Sequence, residues 1–371
     1  MTIRMLADDE RIDWVRLARS ENVGPVAFFQ LLRRAQGDIQ GALGLLPELA
    51  RRGGRNGALR VPSRNDIARE IDAVTKFGAT TICACEPTYP RALAAIHDPP
   101  PVLTAGRKLD LLLRPAVAIV GARNASTNGR RIADMLARDL ARAGWVVVSG
   151  LARGIDSAAH DASLDGGTIA VVAGGIDVTY PPENAELQAD IFARGCVAAE
   201  MPLGIEPHAR HFPRRNRIVS GLVRGLVVVE AAMHSGSLIS ARFALEQGRE
   251  VFAVPGSPLD PRARGTNDLI RQGAHLTESA EDIFRELGPL AADLAEPPQE
   301  PWGFDADEGS DSRALAHARE VVFARLSPSP VAVDELVRDC QLSAALVRTV
   351  LLELELAGRI ERQPGHRVAL I

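Results

Sequence analysis

Between residues 116 and 254 the chain carries a series of short, almost uninterrupted apolar runs, and no other feature of the sequence constrains the fold as strongly. Ala116–Gly121 reads Ala-Val-Ala-Ile-Val-Gly and Trp145–Gly150 reads Trp-Val-Val-Val-Ser-Gly, with further runs at Thr168–Ala173, Cys196–Ala199, Leu226–Glu230 and Glu250–Val254. A strand with one face in water alternates apolar and polar side chains. Runs that are apolar at every position belong instead to strands covered on both faces, as in a parallel sheet between helix layers. Helical stretches lie between the runs, the first from about Gly129 to Ala143, so the expectation is an α/β domain with a Rossmann-like, doubly wound sheet.

The flanks read differently. Residues 10 to about 60 suggest short helices packed around Trp14, Leu17, Phe28, Phe29, Leu31 and Leu32, with a turn at Asn22-Val-Gly-Pro25. Such a turn marks either an ordinary helix connection or a helix-hairpin-helix that grips a DNA backbone. A Pro-rich passage, Pro87–Pro101, precedes the first long apolar run. From Ala291 to Ser312 there are seven acidic residues and no Lys or Arg, the composition of a linker. Residues 313–371 give three helical segments and a final β-like pair, Arg359–Arg362 and His366–Ile371, which is a winged-helix-like order with a recognition helix at about Ser343–Ala357. The 371 residues therefore divide into a small helical domain of the SAM or helix-hairpin-helix kind (1–80), the Rossmann-like domain (81–288), an acidic linker (289–312) and a winged-helix-like domain (313–371).

No run approaches the roughly 18 apolar residues of a membrane helix. The N-terminus turns acidic within ten residues and lacks the apolar core of a signal peptide. Cys83, Cys85, Cys196 and Cys340 form no C-x-x-C pair, so neither disulfides nor zinc are expected, and a reducing cytoplasm is the natural compartment. The net charge of −4 does not announce a nucleic-acid binder. Its distribution does more: four arginines fall among the eight residues Arg210–Arg217, enough to focus positive potential locally. Lys76 and Lys108 are the only lysines, so nearly all positive charge is planar guanidinium. In the C-terminal 313–371, eight arginines meet seven acidic residues, too even a balance for a strong duplex binder.

Ligands of open α/β sheets sit beyond the carboxyl ends of the strands. Those ends are here rich in Gly, Ser and Arg: Gly121-Ala-Arg123-Asn-Ala-Ser-Thr-Asn-Gly129, Ser149-Gly-Leu-Ala-Arg153-Gly154-Ile-Asp156, His234-Ser235-Gly236-Ser237 and Arg264-Gly-Thr-Asn267. Any one of these is an ordinary turn, but four on one edge, several carrying arginine, point to a phosphate-bearing ligand. No G-x-G occurs, so a dinucleotide cofactor is not expected, and neither lysine follows a glycine, which excludes a Walker A loop. His208 and His211 flank Arg210 in a basic loop that would repel a metal. Asp156 and His160, four apart at the start of a helix, suggest a helix-start contact and a packed ring before they suggest catalysis. The segment His211-Phe212-Pro-Arg214-Arg215-Asn216-Arg217 combines a ring, guanidiniums and an amide before an apolar helix. That is the equipment of a single-strand site, where arginines take phosphates and the ring stacks a base.

With these residues in view the chain resembles the DNA-processing protein A family (DprA, also called Smf). The likeness runs through Ala118-Ile-Val-Gly-Ala-Arg123, Ser149–Asp156 with Ala159-His160, Phe212–Arg217, Val229-Glu230-Ala, Ser235-Gly-Ser-Leu238, Val254-Pro-Gly256 and Gly265-Thr-Asn267, about residues 85–285. The resemblance implies a homodimeric, Rossmann-like binder of single-stranded DNA that hands strands to the RecA recombinase in natural transformation, with no cofactor and no catalysis. It implies a pocket lined by Arg123, Phe212, Arg215, Asn216 and Arg217 over Ser149, Ser235, Gly236 and Ser237; Arg153, Arg210 and Arg214 join them as expected nucleic-acid contacts. Ala122 stands where many members carry Ser. The alternative is a nucleotide-cleaving Rossmann enzyme of the phosphoribohydrolase type, whose P-G-G-x-G-T-x-x-E segment is only partly echoed by Val254–Ser257 and Arg264–Asp268, without the glutamate.

Overall fold

The first three helices form where apolar residues fall at helical spacing: α1 (Asp8–Ala18), α2 (Pro25–Arg34) and α3 (Ile39–Arg52). Acidic residues fill the first turn of α1, Pro25 opens α2, and Asp38 caps α3 by accepting from the amides of Gln40 and Gly41. Their shared core holds Leu17, Leu31 and Leu46 with Trp14 and Phe28, whose rings lie 4.9 Å apart. The computed structural model describes residues 3–288, 312–363 and 365–371. Two compact units emerge: the described residues of Met1–Arg69 together with those of Trp302–Ile371, and those of Glu70–Pro301. Helix α4 (Arg64–Phe77) crosses from the first to the second.

The second unit is a nine-stranded sheet flanked by helices. In chain order it contains β1 (Ala79–Cys83), the short α5 (Arg91–Ala94), β2 (Val102–Gly106), β3 (Ala116–Val120), α6 (Thr127–Arg142), β4 (Val146–Ser149), α7 (Ile155–Ser163), β5 (Thr168–Val171), α8 (Ala185–Arg194) and β6 (Cys196–Ala199). It continues with α9 (His211–Gly221), β7 (Gly225–Val228), α10 (Gly236–Glu246), β8 (Glu250–Ala253), α11 (Arg264–Arg271), β9 (His275–Leu276) and α12 (Ala280–Leu287). The strand order is β1-β2-β6-β5-β4-β3-β7-β8-β9, parallel from β6 to β9, with β2 and β1 added antiparallel at one edge. The chain winds from β3 outward to β6, then returns to the other side of β3 with β7. This is the doubly wound Rossmann-like arrangement, and its switch point lies between β3 and β7. The six apolar runs became β3–β8, fully buried along nearly their whole length. Trp145, Leu136, Leu140, Phe252 and Ile283 tie the sheet to α6 and α12.

The C-terminal part of the first unit has α13 (Ser312–Arg325), β10 (Val331–Ala332), α14 (Val333–Cys340), α15 (Ala344–Leu356), β11 (Ile360–Gln363) and β12 (Arg367–Leu370). β12 lies between β10 and β11, all antiparallel, which is a winged-helix fold closed around Val322, Leu336, Val347, Leu351 and Val368. Ser343 caps α15 through the Leu346 amide, so the recognition helix begins and ends within a residue of its expected bounds. Within this unit α15 packs on α3, close enough that a Cβ on Gly53 would fall 1.9 Å from the Glu353 carbonyl oxygen. The expected acidic linker falls, except for Ser312, outside the described residues. Among the described residues no helix is long and apolar enough to cross a membrane.

Candidate nucleic-acid interface

β4 ends in Ser149-Gly150, and the carboxylate of Asp156 on the first turn of α7 reaches back to accept from the Gly150 amide at 3.1 Å and the Ala152 amide at 3.2 Å. The expected contact of Asp156 with the helix start is thus corrected: it fixes the loop before the helix. Arg215, from α9, lies over that loop. A Cβ on Gly150 would stand 1.4 Å from Arg215 Nη1, so the guanidinium occupies the space that any side chain there would take. Nη1 donates to the Val171 carbonyl at the end of β5, at 3.2 Å. Burial sets both charges against themselves. It lowers Arg215 to about 10 despite the attraction of Asp156, with Arg123 adding to the fall, and it raises Asp156 above the usual carboxylate range against the pull of Arg215. His160 is fully buried one turn further on. Its Nδ1 meets Thr168 Oγ1 at 2.7 Å, and the same hydroxyl lies 3.0 Å from the Val147 carbonyl. Burial, then Arg215, lowers His160 to about 3, so the ring is neutral.

Above this floor opens a cleft of about 470 Å³, counting its solvent-open mouth, beyond the ends of β4 and β5. Gly150–Arg153, Val172–Gly174, Val178, Tyr180, Pro181, Pro207, Arg123, Phe212 and Arg215 line it. The Phe212 and Tyr180 rings are 5.6 Å apart, and the exposed Arg123 guanidinium stands 5.4 Å from the Phe212 centroid. Arg153 borders the cleft and holds Glu183 at 3.4 Å. Two aromatic rings and three guanidiniums thus converge where an open α/β sheet presents its ligand site. Two half-open rings offer π-faces to bases, and the arginines offer donors to phosphates.

The segment around Phe212 differs from expectation. It is not a loop before a helix but the first turns of α9, with Arg210 as N-cap. Helical spacing then sends its arginines in different directions. Arg210 and Arg214, four apart, are exposed and do not line the cleft, nor does the half-buried Asn216. Arg217 is 3% exposed and pairs with Glu200 at 2.6 Å and with the carboxylate and carbonyl of Asp98. It is a structural ion pair, and the expected phosphate contact there is corrected. Ser149 is fully buried and donates to the Ile119 carbonyl at 2.6 Å, so it supports the floor without reaching a ligand. Ser235, Gly236 and Ser237 open α10 after β7, two strands from β4, or about 10 Å at normal strand spacing, with Ser235 capping the Ser237 amide. They lie outside the cleft. Tyr180 was missed. Its signal was an aromatic followed by two prolines, Val178-Thr-Tyr-Pro-Pro182.

At the switch point the start of α6 is already occupied. Glu230, just after β7, accepts from the Ser126 amide at 2.9 Å and from its hydroxyl at 2.6 Å. A Cβ on Gly129 would meet the Glu230 carboxyl group at 2.5 to 2.7 Å. This is the place where dinucleotide-binding folds hold a pyrophosphate. Here a carboxylate of the chain fills it, complementing the helix dipole and repelling a phosphate.

Comparison with known proteins agrees with this layout. The family profile described as "DNA recombination-mediator protein A" matches residues 80–288, "DprA-like N-terminal HHH domain" matches 8–73, and "DprA winged helix domain" matches 306–366. The chain is 45% identical over 234 residues to the DNA processing protein DprA of Bacillus subtilis, covering 62% of this chain and 79% of that one. It superposes on the X-ray structure of DprA from Streptococcus pneumoniae with a TM-score of 0.62 at 35% identity, over 76% of this chain and 99% of the other. DprA from Helicobacter pylori, whose single-stranded DNA binding mode is described, gives a TM-score of 0.52 at 30% identity over 56% of this chain and 95% of that one. With hairpin, sheet and wing matched in order along one chain, this protein belongs to the DprA/Smf family.

Proposed function

We propose that this protein is a recombination mediator that binds single-stranded DNA in the cleft beyond β4 and β5. The observation that carries the reading is the convergence of Phe212 and Tyr180, 5.6 Å apart, with Arg123, Arg153 and, in the floor, Arg215 in the lining of one cleft. A single strand exposes bases for stacking and phosphates for guanidiniums at once; a duplex hides its base faces. Arg123 and Arg153 take phosphates, Phe212 with Tyr180 takes a base, and Arg215 sets the floor. Family membership supports the rest of the reading: a homodimer in the cytoplasm that protects incoming strands and loads RecA on them, with the expected boundaries 1–80, 81–288 and 313–371 separating its working parts. We infer no catalysis. The stretches that correspond to a nucleotide-cleaving enzyme's P-G-G-x-G-T-x-x-E segment, Val254–Ser257 and Arg264–Asp268, lack its glutamate.

The test is ultraviolet cross-linking of an oligodeoxynucleotide carrying halogenated bases, followed by peptide mapping. Cross-links at Phe212 or Tyr180 support the cleft. Cross-links confined to residues 312–371 move the strand to the winged-helix segment and defeat the reading, and release of free base from a nucleoside monophosphate promotes the enzyme.

A further inference from the structure

The turn Ser20–Pro25 joins α1 to α2 as a helix-hairpin-helix does, and the free amides at the start of a second helix are what such a hairpin turns toward a phosphate. In this chain a carboxylate stands at the start of α2. Gly24 is its N-cap and brings no side chain to the first amides. The carboxylate of Glu355, near the end of α15, stands beside it, so close that a Cβ at residue 24 would lie 2.9 Å from Oε1. Glu355 is 7% exposed, and its other oxygen accepts from Arg362 Nε at 2.6 Å. Next to it Asn22 Nδ2 donates to the Leu356 carbonyl in the last turn of α15, at 3.3 Å. A buried carboxylate and the negative end of one helix thus face the positive end of another, the same match that a phosphate would make.

Two further contacts hold the pair together. Arg34 Nη2 donates to Thr349 Oγ1 at 2.6 Å, and Gly53, closing α3, admits the Glu353 carbonyl at a distance no side chain would allow. Glu353 itself is fully buried and bound by Arg319 at 2.6 and 3.1 Å. The second half of the recognition helix is buried between the N-terminal helices and the winged-helix core, and only its first turns, with Ala344, Ala345 and Arg348, are exposed.

We propose that the hairpin Ser20–Pro25 is a docking site for the C-terminal end of α15, which stands where a DNA phosphate would, so that while the two are joined the hairpin does not meet DNA. The strand-binding cleft lies in the other unit, and the proposal does not depend on it. The decisive variant is Gly53→Val in the full chain. Residue 53 has a φ of −73°, which any residue adopts, and the three atoms nearest to a Cβ there belong to Glu353 and Ala357. The wedge therefore bears first on the docking. Hydrogen exchange should show protection of the Leu351–Leu356 amides falling about tenfold or more. Affinity for a 20-base-pair duplex at low salt should rise about fivefold as the hairpin is freed, while single-strand affinity changes by less than about twofold. Protection lost with duplex affinity unchanged overturns the masking, and protection retained overturns the docking. Should Gly53→Val fail to fold, Asn22→Gly with Arg34→Ala loosens the same contact, since the φ of 59° at residue 22 suits glycine, and the same outcomes decide.

Discussion

Replacing Gly150 by alanine puts a methyl group where the Arg215 guanidinium lies. The added Cβ would be 1.4 Å from Nη1 and 2.4 Å from Cζ. Ordinary contact begins near 3.4 Å, so the guanidinium must withdraw by about 2 Å. That breaks the 3.2 Å bond to the Val171 carbonyl, about 1.5–3 kcal/mol for a charged donor. It also weakens the attraction between Arg215 and buried Asp156, which keeps the Gly150 and Ala152 amides as donors and so loses less than the roughly 3–5 kcal/mol of an orphaned buried charge. Two reliefs reduce the sum: Asp156, already raised by burial, can take up a proton, and the guanidinium can swing into the open cleft. The expected net loss is about 2–4 kcal/mol, or roughly 5–15 °C in the melting temperature of a unit this size. Calorimetry of the full chain would measure it, with fluorescence anisotropy on a labelled oligonucleotide beside it, where single-strand affinity should fall because Arg215 now intrudes on the cleft. A melting temperature within about 1 °C of the parent, with unchanged affinity, would refute the placement of Arg215 over residue 150.

Three other outcomes follow from the same geometry. Arg123→Ala should remove about 0.7 from the slope of log affinity against log salt, whereas Arg217→Ala should leave that slope alone and destabilise the fold, because it strips Glu200 and Asp98 of their cation; paired salt titrations and melts separate the two. Phe212→Ala should weaken single-strand binding by about 1–3 kcal/mol with little change in salt slope, as titrations at two ionic strengths would reveal. His160, with its pKa lowered from 6.5 to about 3, holds a neutral ring that the unfolded chain would protonate first. Its contribution is therefore whole above pH 6.5 and is lost as the pH falls toward 3, amounting to about 2 kcal/mol between pH 7 and 5; urea midpoints at the two pH values, compared with His160→Gln, should show that share disappear in the variant.

The sequence carried the parallel strands plainly because a strand covered on both faces has no polar alternation to blur it: Ala116–Val120 and Val146–Ser149 are apolar at nearly every position. β1, β2 and β9 were not legible. Ala-Thr-Thr-Ile-Cys at β1 mixes polar and apolar positions and runs antiparallel at the sheet edge, and β9 has only two residues. In the site, residue type was legible and direction was not. Four arginines within eight residues looked like one basic surface, but once those residues are wound into α9 only Arg215 enters the cleft, while Arg217 turns to Glu200. Nor does sequence alone reveal that Glu230 fills the start of α6 from more than a hundred residues away, or that Glu355 comes to stand beside Gly24 from across the chain. Both are partnerships of the folded state between distant segments.

The most direct measurement compares a labelled single strand with a duplex of equal length, titrated with the full chain at fixed salt and followed by anisotropy. If Arg123, Arg153, Phe212 and Tyr180 form the working surface, the single strand binds tighter by about tenfold or more, because only its bases are free to stack between rings. Equal or tighter binding of the duplex would contradict a cleft built for a single strand.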